Sequence, residues 1–193
     1  MMNFNILLTG VGGQGTVLAS KLLAQTAIAK GYDARTSETI GMAQRGGCVT
    51  SHVRIGEGEI SPLIPAGGAD LILAFEPAEA LRNLHYLKPG APLVVNTRAV
   101  IPITCAMGSG YNPGEIIEAL ERCGHPVVLV DGGALCERLG SYKALNTVLL
   151  GVALREGLLP FTAEDMAGTI RANLPEKFHK LNLEALRLSR KDG

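Results

Sequence analysis

Four glycines in six positions, Gly10, Gly12, Gly13 and Gly15, follow directly on an apolar run in "LLTGVGGQGT". At the start of a helix such a turn can aim backbone N–H groups at a phosphate or carboxylate. The first amides of a helix lack partners and sit at the positive end of its dipole. The spacing of Gly10, Gly12 and Gly15 fits G-x-G-x-x-G. It also fits a bare strand-to-helix crossover. A dinucleotide site needs an acidic residue about 20 residues further on, at the end of the second strand, for the ribose. Asp33 has the count but opens its strand, and Glu38 sits better in the strand but late in the count. A dinucleotide site is therefore the weaker reading, and anion binding at the turn stays open.

A second group lies in "AQRGG", where Gln44 and Arg45 precede Gly46 and Gly47. A guanidinium beside paired glycines can clamp a carboxylate or phosphate with two parallel hydrogen bonds, or simply face solvent. The next segment, "CVTSHVRIG", alternates: Val49, Val53 and Ile55 point one way, and Thr50, His52 and Arg54 the other. That is a strand with one polar face. Together with Arg45 this face is expected to meet a ligand or a partner protein.

The elements that must position these groups alternate. "FNILLTG" reads as a buried strand and Gln14 to Lys30 as a helix stopped by Gly31. A weaker strand spans Asp33 to Thr39. "DLILAFE" is a strand, followed by a helix from Pro77 to about Leu87 with proline in its first turn. "KPGAPLVVN" is a turn and strand, "NPGEIIEALERCG" a helix ended by Gly124, and "HPVVLVD" a strand. "GALCERLGSYKALNTVLLGVALREG" is mostly helical with a break at Gly140. Thr162 and Asp165 form a capping-box pattern that opens a helix to about Asn173, and Pro175 precedes a last helical stretch.

Alternation of this kind predicts an α/β, Rossmann-like, mostly parallel sheet with helices on both faces. Residues 161–193 read as a C-terminal helical appendage on a core of residues 1–160, within one domain. Such sheets bind ligands in a crevice at the carboxyl ends of their strands. Small or polar residues stand at those ends: Gly10, Glu76, Asn96 and Asp131. Glu76 before Pro77 could be a base or a structural carboxylate.

Other chemistries find little support. His52, His85, His125 and His179 are dispersed, and Cys48, Cys105, Cys123 and Cys136 include no C-x-x-C pair. A zinc ribbon or ferredoxin-type cluster needs tighter spacing, so the cysteines read as small buried thiols. No G-x-S-x-G elbow is present. The 193 residues are 47% hydrophobic but only 4% aromatic, which calls for an aliphatic core. Lys and Arg total 18, balanced by 18 Asp and Glu, so no net charge points to nucleic acid or an anionic membrane. No apolar run approaches a membrane span. The run Phe4 to Leu8 is too short for a signal peptide and lacks a basic flank. A cytoplasmic protein is expected.

Taken together, "LLTGVGGQG", "AQRGGCVTSHVR", "ADLILAFEPAEALR", "YKALNTVLLGVA" and "LPEKFHKLNLEALRLSR" resemble the gamma subunit or domain family of 2-oxoacid:ferredoxin oxidoreductases, and within it the indolepyruvate type. The resemblance covers nearly the whole chain. It implies a Rossmann-like chain in a hetero-oligomeric enzyme that decarboxylates a 2-oxoacid, an arylpyruvate by resemblance, on thiamine diphosphate. Electrons then pass through iron–sulfur clusters to ferredoxin, and acyl-CoA forms. This chain has no G-D-G…N-N thiamine pattern and no cysteine run, so no catalytic or metal residue is assigned to it. A larger subunit bearing thiamine diphosphate and iron–sulfur clusters is the expected partner. Gly10, Gly12, Gly13, Gln14 and Gly15 match the family's first motif, and Gln44, Arg45, Gly46 and Gly47 its second. They imply a supporting role at the active site or the CoA entrance. A free-standing dinucleotide-binding oxidoreductase and a ligand-binding regulatory domain remain as alternatives.

Overall fold

The computed structural model describes residues 3–41, 47–58, 61–101 and 110–188. Strand β1 (Phe4–Val11) runs into the glycine turn and helix α1 (Thr16–Ala29). Then come β2 (Asp33–Ile40), β3 (Cys48–Gly56), β4 (Leu71–Ala74), α2 (Pro77–Arg82), β5 (Leu93–Asn96), α3 (Pro113–Glu121) and β6 (Val127–Val130). Four further helices follow: α4 (Gly132–Arg138), α5 (Leu145–Arg155), α6 (Ala163–Asn173) and α7 (His179–Leu188).

The six strands form one sheet in the order β2-β3-β1-β4-β5-β6. β1, β4, β5 and β6 pair in parallel. β3 is antiparallel to both of its neighbours, β1 and β2, so β2 runs the same way as β1. The half-polar alternation of β3 belongs to this one reversed strand. The continuous apolar runs belong to strands covered on both faces, and β4 and β5 are buried at every position.

Alternate residues of these strands feed two cores. Ile6, Leu8, Leu71, Leu73 and Val94 face Leu22, Leu23, Val148 and Leu149 on α1 and α5. Leu7, Ile72, Leu93 and Val95 face Ala80 and Leu120 on α2 and α3. The helices expected after Pro160 are integral to the first core. Met166, Ile170, Ala185 and Leu186 pack into it, and Thr26 on α1 donates to Thr169 on α6 at 2.9 Å. The Thr162–Asp165 capping box forms at the start of α6.

The polar face of β3 is put to a use the sequence reading did not foresee. Residues 61–69 fold across it as a strap. His52 is only 3% exposed, and its Nδ1 accepts from Ile64 N at 3.2 Å. Its ring meets Tyr86 edge-on, with centroids 5.5 Å apart. Arg54 Nη1 donates to the carbonyls of Ser61 and Leu63, and its Nε donates to Asn5 Oδ1. The expectation that His52 and Arg54 face a partner is thus corrected: both are committed inside the chain. Alternation showed the polar face but not what covers it.

Burial pushes the His52 imidazole below its ordinary 6.5. The unfolded chain takes up the proton near that value, whereas the fold resists it, because the imidazolium would present a donor to the Ile64 N–H. This contribution to stability is whole above the unfolded value and is lost as pH falls through the folded one. Melting temperature is therefore expected to fall more steeply in the wild-type chain than in His52→Gln as pH drops from about 7.5 to about 5.5. Parallel curves would show that His52 does not couple to folding.

Candidate functional site

At the carboxyl edge of the sheet, four strand ends and the glycine turn converge. The turn's positive backbone angles fall on Gly13 (φ 95) and Gly15 (φ 86), where L side chains are strained. Gly10 is required by close approach instead. A β-carbon there would lie 2.8 Å from Phe75 Cβ and 2.6 Å from Gln14 Oε1. The turn is anchored by Gly12 N donating to Gly47 O at 2.9 Å.

α1 begins at Thr16, two residues later than the sequence predicts, because Gln14 belongs to the turn. Its Oε1 accepts from Val11 N at 2.8 Å, and its Nε2 donates to Phe75 O at 3.0 Å. One amide thereby ties the end of β1 to the end of β4. Asn96, fully buried at the end of β5, extends the tie. Its Nδ2 donates to the same Phe75 carbonyl at 3.0 Å, and its Oδ1 accepts from Gly132 N at 3.2 Å.

Glu76, 2% exposed, caps α2 through Glu79 N at 3.0 Å. Its Oε1 accepts from Val100 N and from the Tyr111 hydroxyl. Burial and that bond to the carboxylate push the Tyr111 hydroxyl well above its ordinary range. Asp131 is exposed and caps α4 through Ala134 N at 2.9 Å.

The strand-end residues named from the sequence are thus brought together, but mostly by bonds to one another. Gln14, Glu76 and Asn96 form a clasp that shapes the edge: their polar groups are hydrogen-bonded within the chain, and Glu76 and Asn96 are buried. Gln44, Arg45 and Gly46 lie outside the described residues, as does Cys105.

What the edge leaves unused is the start of α1. Its first helical bond is Ala19 N to Gly15 O at 3.0 Å, and Gly15 brings no capping side chain. The amides of Thr16, Val17 and Leu18 thus open the helix without a cap. Two side chains that the sequence reading did not single out, Asn146 and Thr16, stand beside them. Asn146, on the first turn of α5 and 2% exposed, lies against Gly15, with Nδ2 3.3 Å from where a β-carbon would stand. Thr16 is 3% exposed, and its methyl faces Gly10. Only the short distance between two helix starts 130 residues apart could have revealed this pairing.

The described cysteines differ from the expected buried thiols. Cys48 is exposed, Cys123 half-buried and Cys136 buried, with burial pushing the last thiol up to about 11. Among the described residues no three His, Cys, Asp or Glu side chains converge as a metal site requires. These residues do not fit an iron–sulfur cluster.

A family model described as pyruvate ferredoxin/flavodoxin oxidoreductase matches residues 5–191. The chain belongs to that family. It is 41% identical to the indolepyruvate oxidoreductase subunit IorB of Archaeoglobus fulgidus, over 97% of this chain and 94% of that one. It is 28% identical to the pyruvate/ketoisovalerate oxidoreductases common subunit gamma of Pyrococcus abyssi, over 91% of each. The gamma subunit of a keto/oxoacid ferredoxin oxidoreductase from Geobacter sulfurreducens has the same fold, with a TM-score of 0.68 at 23% identity over 96% of this chain and 95% of that chain. The 2-oxoglutarate:ferredoxin oxidoreductase of Magnetococcus marinus superposes on 98% of this chain with a TM-score of 0.72 at 21% identity, and the match spans 30% of that longer chain. As a gamma-type subunit of this oxidoreductase family, the protein has its uncapped helix start at the sheet edge where α/β folds hold ligands. Among the described residues no helix is long and apolar enough to cross a membrane.

Proposed function

We propose that this chain is the subunit of an indolepyruvate-type 2-oxoacid:ferredoxin oxidoreductase that holds neither thiamine diphosphate nor iron–sulfur clusters. Its glycine-turn edge lines the CoA entrance of a larger, cofactor-bearing subunit. The observation that carries this reading is the uncapped start of α1, an oxyanion cradle made of backbone donors. CoA, when bound, supplies the thiol that accepts the acyl group. This chain's part is to hold the phosphate end while the chemistry proceeds on the partner. Exposed apolar side chains, Leu18 in the first turn of α1 and Val100, Ile101 and Tyr142 on connections between elements, are consistent with a partner there, in place of the β3 face. The partner's own substrate class, arylpyruvates, follows the IorB relatives.

A free-standing dinucleotide enzyme is disfavoured by the strand order. β3 intervenes between β1 and β2, which puts β2 two strand spacings, roughly 9–10 Å, from the glycine strand. Glu38 on β2 accepts from Ser20 Oγ on α1 at 3.3 Å.

The test is to purify the chain alone and with a co-expressed larger subunit carrying thiamine and cysteine-cluster motifs. Arylpyruvate-dependent, CoA-dependent dye reduction is expected only in the pair, and the lone chain should be colourless. Turnover or brown colour in the lone chain overturns the proposal, as does tight NAD(H) binding by calorimetry.

A further inference from the structure

The strap over β3 does more than cover His52, because it is fixed in place and carries an apolar side chain outward. Arg54 Nη1 holds the carbonyls of Ser61 at 2.9 Å and Leu63 at 3.2 Å. Ile64 turns inward and is 3% exposed. Further along, Asn5 Nδ2 donates to Gly68 O at 2.8 Å, Gly67 N to His85 O at 2.9 Å and Ala69 N to Tyr86 O at 2.8 Å. Pro62 and Pro65 restrict the backbone between these anchors. Amid them Leu63 is 51% exposed. An aliphatic side chain held in water by a fixed backbone has burial to gain from a partner and little order left to lose.

Positive charge sits directly beside it. Arg35 on β2 stands opposite Arg54 on β3, on the same face of the sheet, and like charges at such positions repel. Arg35 is exposed, and the ion pairs among the described residues include neither arginine. Asp70, which accepts from Asn5 N beside Arg54, is paired with Lys88. Asp33, two positions before Arg35 on the same face, is exposed. Arg54 in turn stands opposite Asn5, near the start of β1. The patch therefore lies about six residues, roughly 20 Å, along that strand from the glycine turn. We propose that Leu63 and Arg35 dock an acidic segment of the larger subunit, which seats an apolar side chain on Leu63 and a carboxylate on Arg35. Charge complementarity names this occupant: two neighbouring guanidiniums without a carboxylate, next to an exposed aliphatic group, fit an acidic residue beside an apolar one. Arg54 positions the strap and adds its charge. The contact is on the outside of the strap, not on the β3 face beneath it. It rests on the reading that a larger subunit is this chain's partner, and it adds where that partner is gripped away from the glycine turn.

The experiment uses the purified pair of subunits, diluted stepwise and followed by mass photometry, with wild-type and variant forms of this chain. Arg35→Glu is expected to raise the half-dissociation concentration at least about tenfold, and Leu63→Ala about three- to tenfold. Arg35→Gln should raise it less, and should flatten its dependence on salt between about 50 and 300 mM, because one screened charge pair is gone. Asp33→Asn removes the carboxylate that competes for Arg35 and should lower it. The lone variant chains should melt with the wild type, since both altered side chains are exposed. Ile28→Ala trims an equally exposed side chain, 51%, on α1 across the sheet, and should leave the pair unchanged. Wild-type half-dissociation in both Arg35→Glu and Leu63→Ala overturns the inference and leaves the pairing of subunits standing, whereas a wild-type pair that never forms overturns both. A loss in Ile28→Ala as large as that in Leu63→Ala also overturns it. So does self-association of the lone chain that Arg35→Glu and Leu63→Ala abolish, which assigns the patch to a second copy.

Discussion

The Asn96→Ala variant is expected to unfold at clearly lower denaturant than the wild-type chain, with a loss of about 2–4 kcal/mol. Asn96 has no solvent exposure, and its side chain joins the ends of β4 and β5 to the start of α4. Alanine leaves the Gly132 N–H buried without this acceptor, and the desolvation of that group is then uncompensated. The Phe75 carbonyl keeps its bond from Gln14, so the damage centres on α4. No isosteric apolar residue repairs the loss, since the defect is a stranded donor rather than missing volume. A useful contrast is Asp131→Ala, which removes an exposed helix cap one residue before Gly132 and should cost only about 1 kcal/mol. Urea unfolding followed by circular dichroism reads both, with similar slopes. Equal losses in the two variants would mean that Asn96 is peripheral.

Gly10→Ala is expected to destabilise by about 1–3 kcal/mol through overpacking. The new methyl would meet two different neighbours. Gln14 Oε1, 2.6 Å away, sits on a flexible side chain and can retreat at the expense of its bond to Val11 N. Phe75 Cβ, 2.8 Å away, cannot, because it is fixed to the backbone beside β4 and its ring is fully buried. The double variant Gly10→Ala with Gln14→Ala should therefore be less stable than Gly10→Ala alone. Removing the amide opens space on the wrong side and unties β1 from β4. Rescue by the second substitution would show that Phe75 yields and that Gln14 was the only obstacle.

Much of the architecture was legible because it is written in local patterns. Buried strands declared themselves as aliphatic runs, the helix of residues 163–173 by its capping box, and the reversed strand by its alternation. The site was legible only in part. The glycine turn gives a motif because backbone geometry constrains residue type at Gly13 and Gly15. Gln14, Asn96 and Asn146 give none, because their meaning lies in partners 3 to 131 residues away along the chain. Polar residues at strand ends look alike in sequence whether they face a ligand or each other. Here Gln14 and Asn96 both donate to the Phe75 carbonyl, a shared partner that no local pattern announces. His52 misled for a related reason: a polar residue on an alternating strand implies a second face, and the strap that covers it follows later in the chain.

The strand order also leaves the sheet with two unlike borders. β2 ends it on one side with eight residues, and Asp33, Arg35 and Glu38 along it are exposed. β6 ends it on the other with four aliphatic residues, three of them half-buried. A long open border invites a stray chain to pair with it, and charged side chains make that pairing unfavourable. A border of four residues offers too few hydrogen bonds to hold one. The same insertion of β3 that removes β2 from the glycine strand thus puts the more polar strand at the long margin, where protection against cross-chain aggregation is most needed.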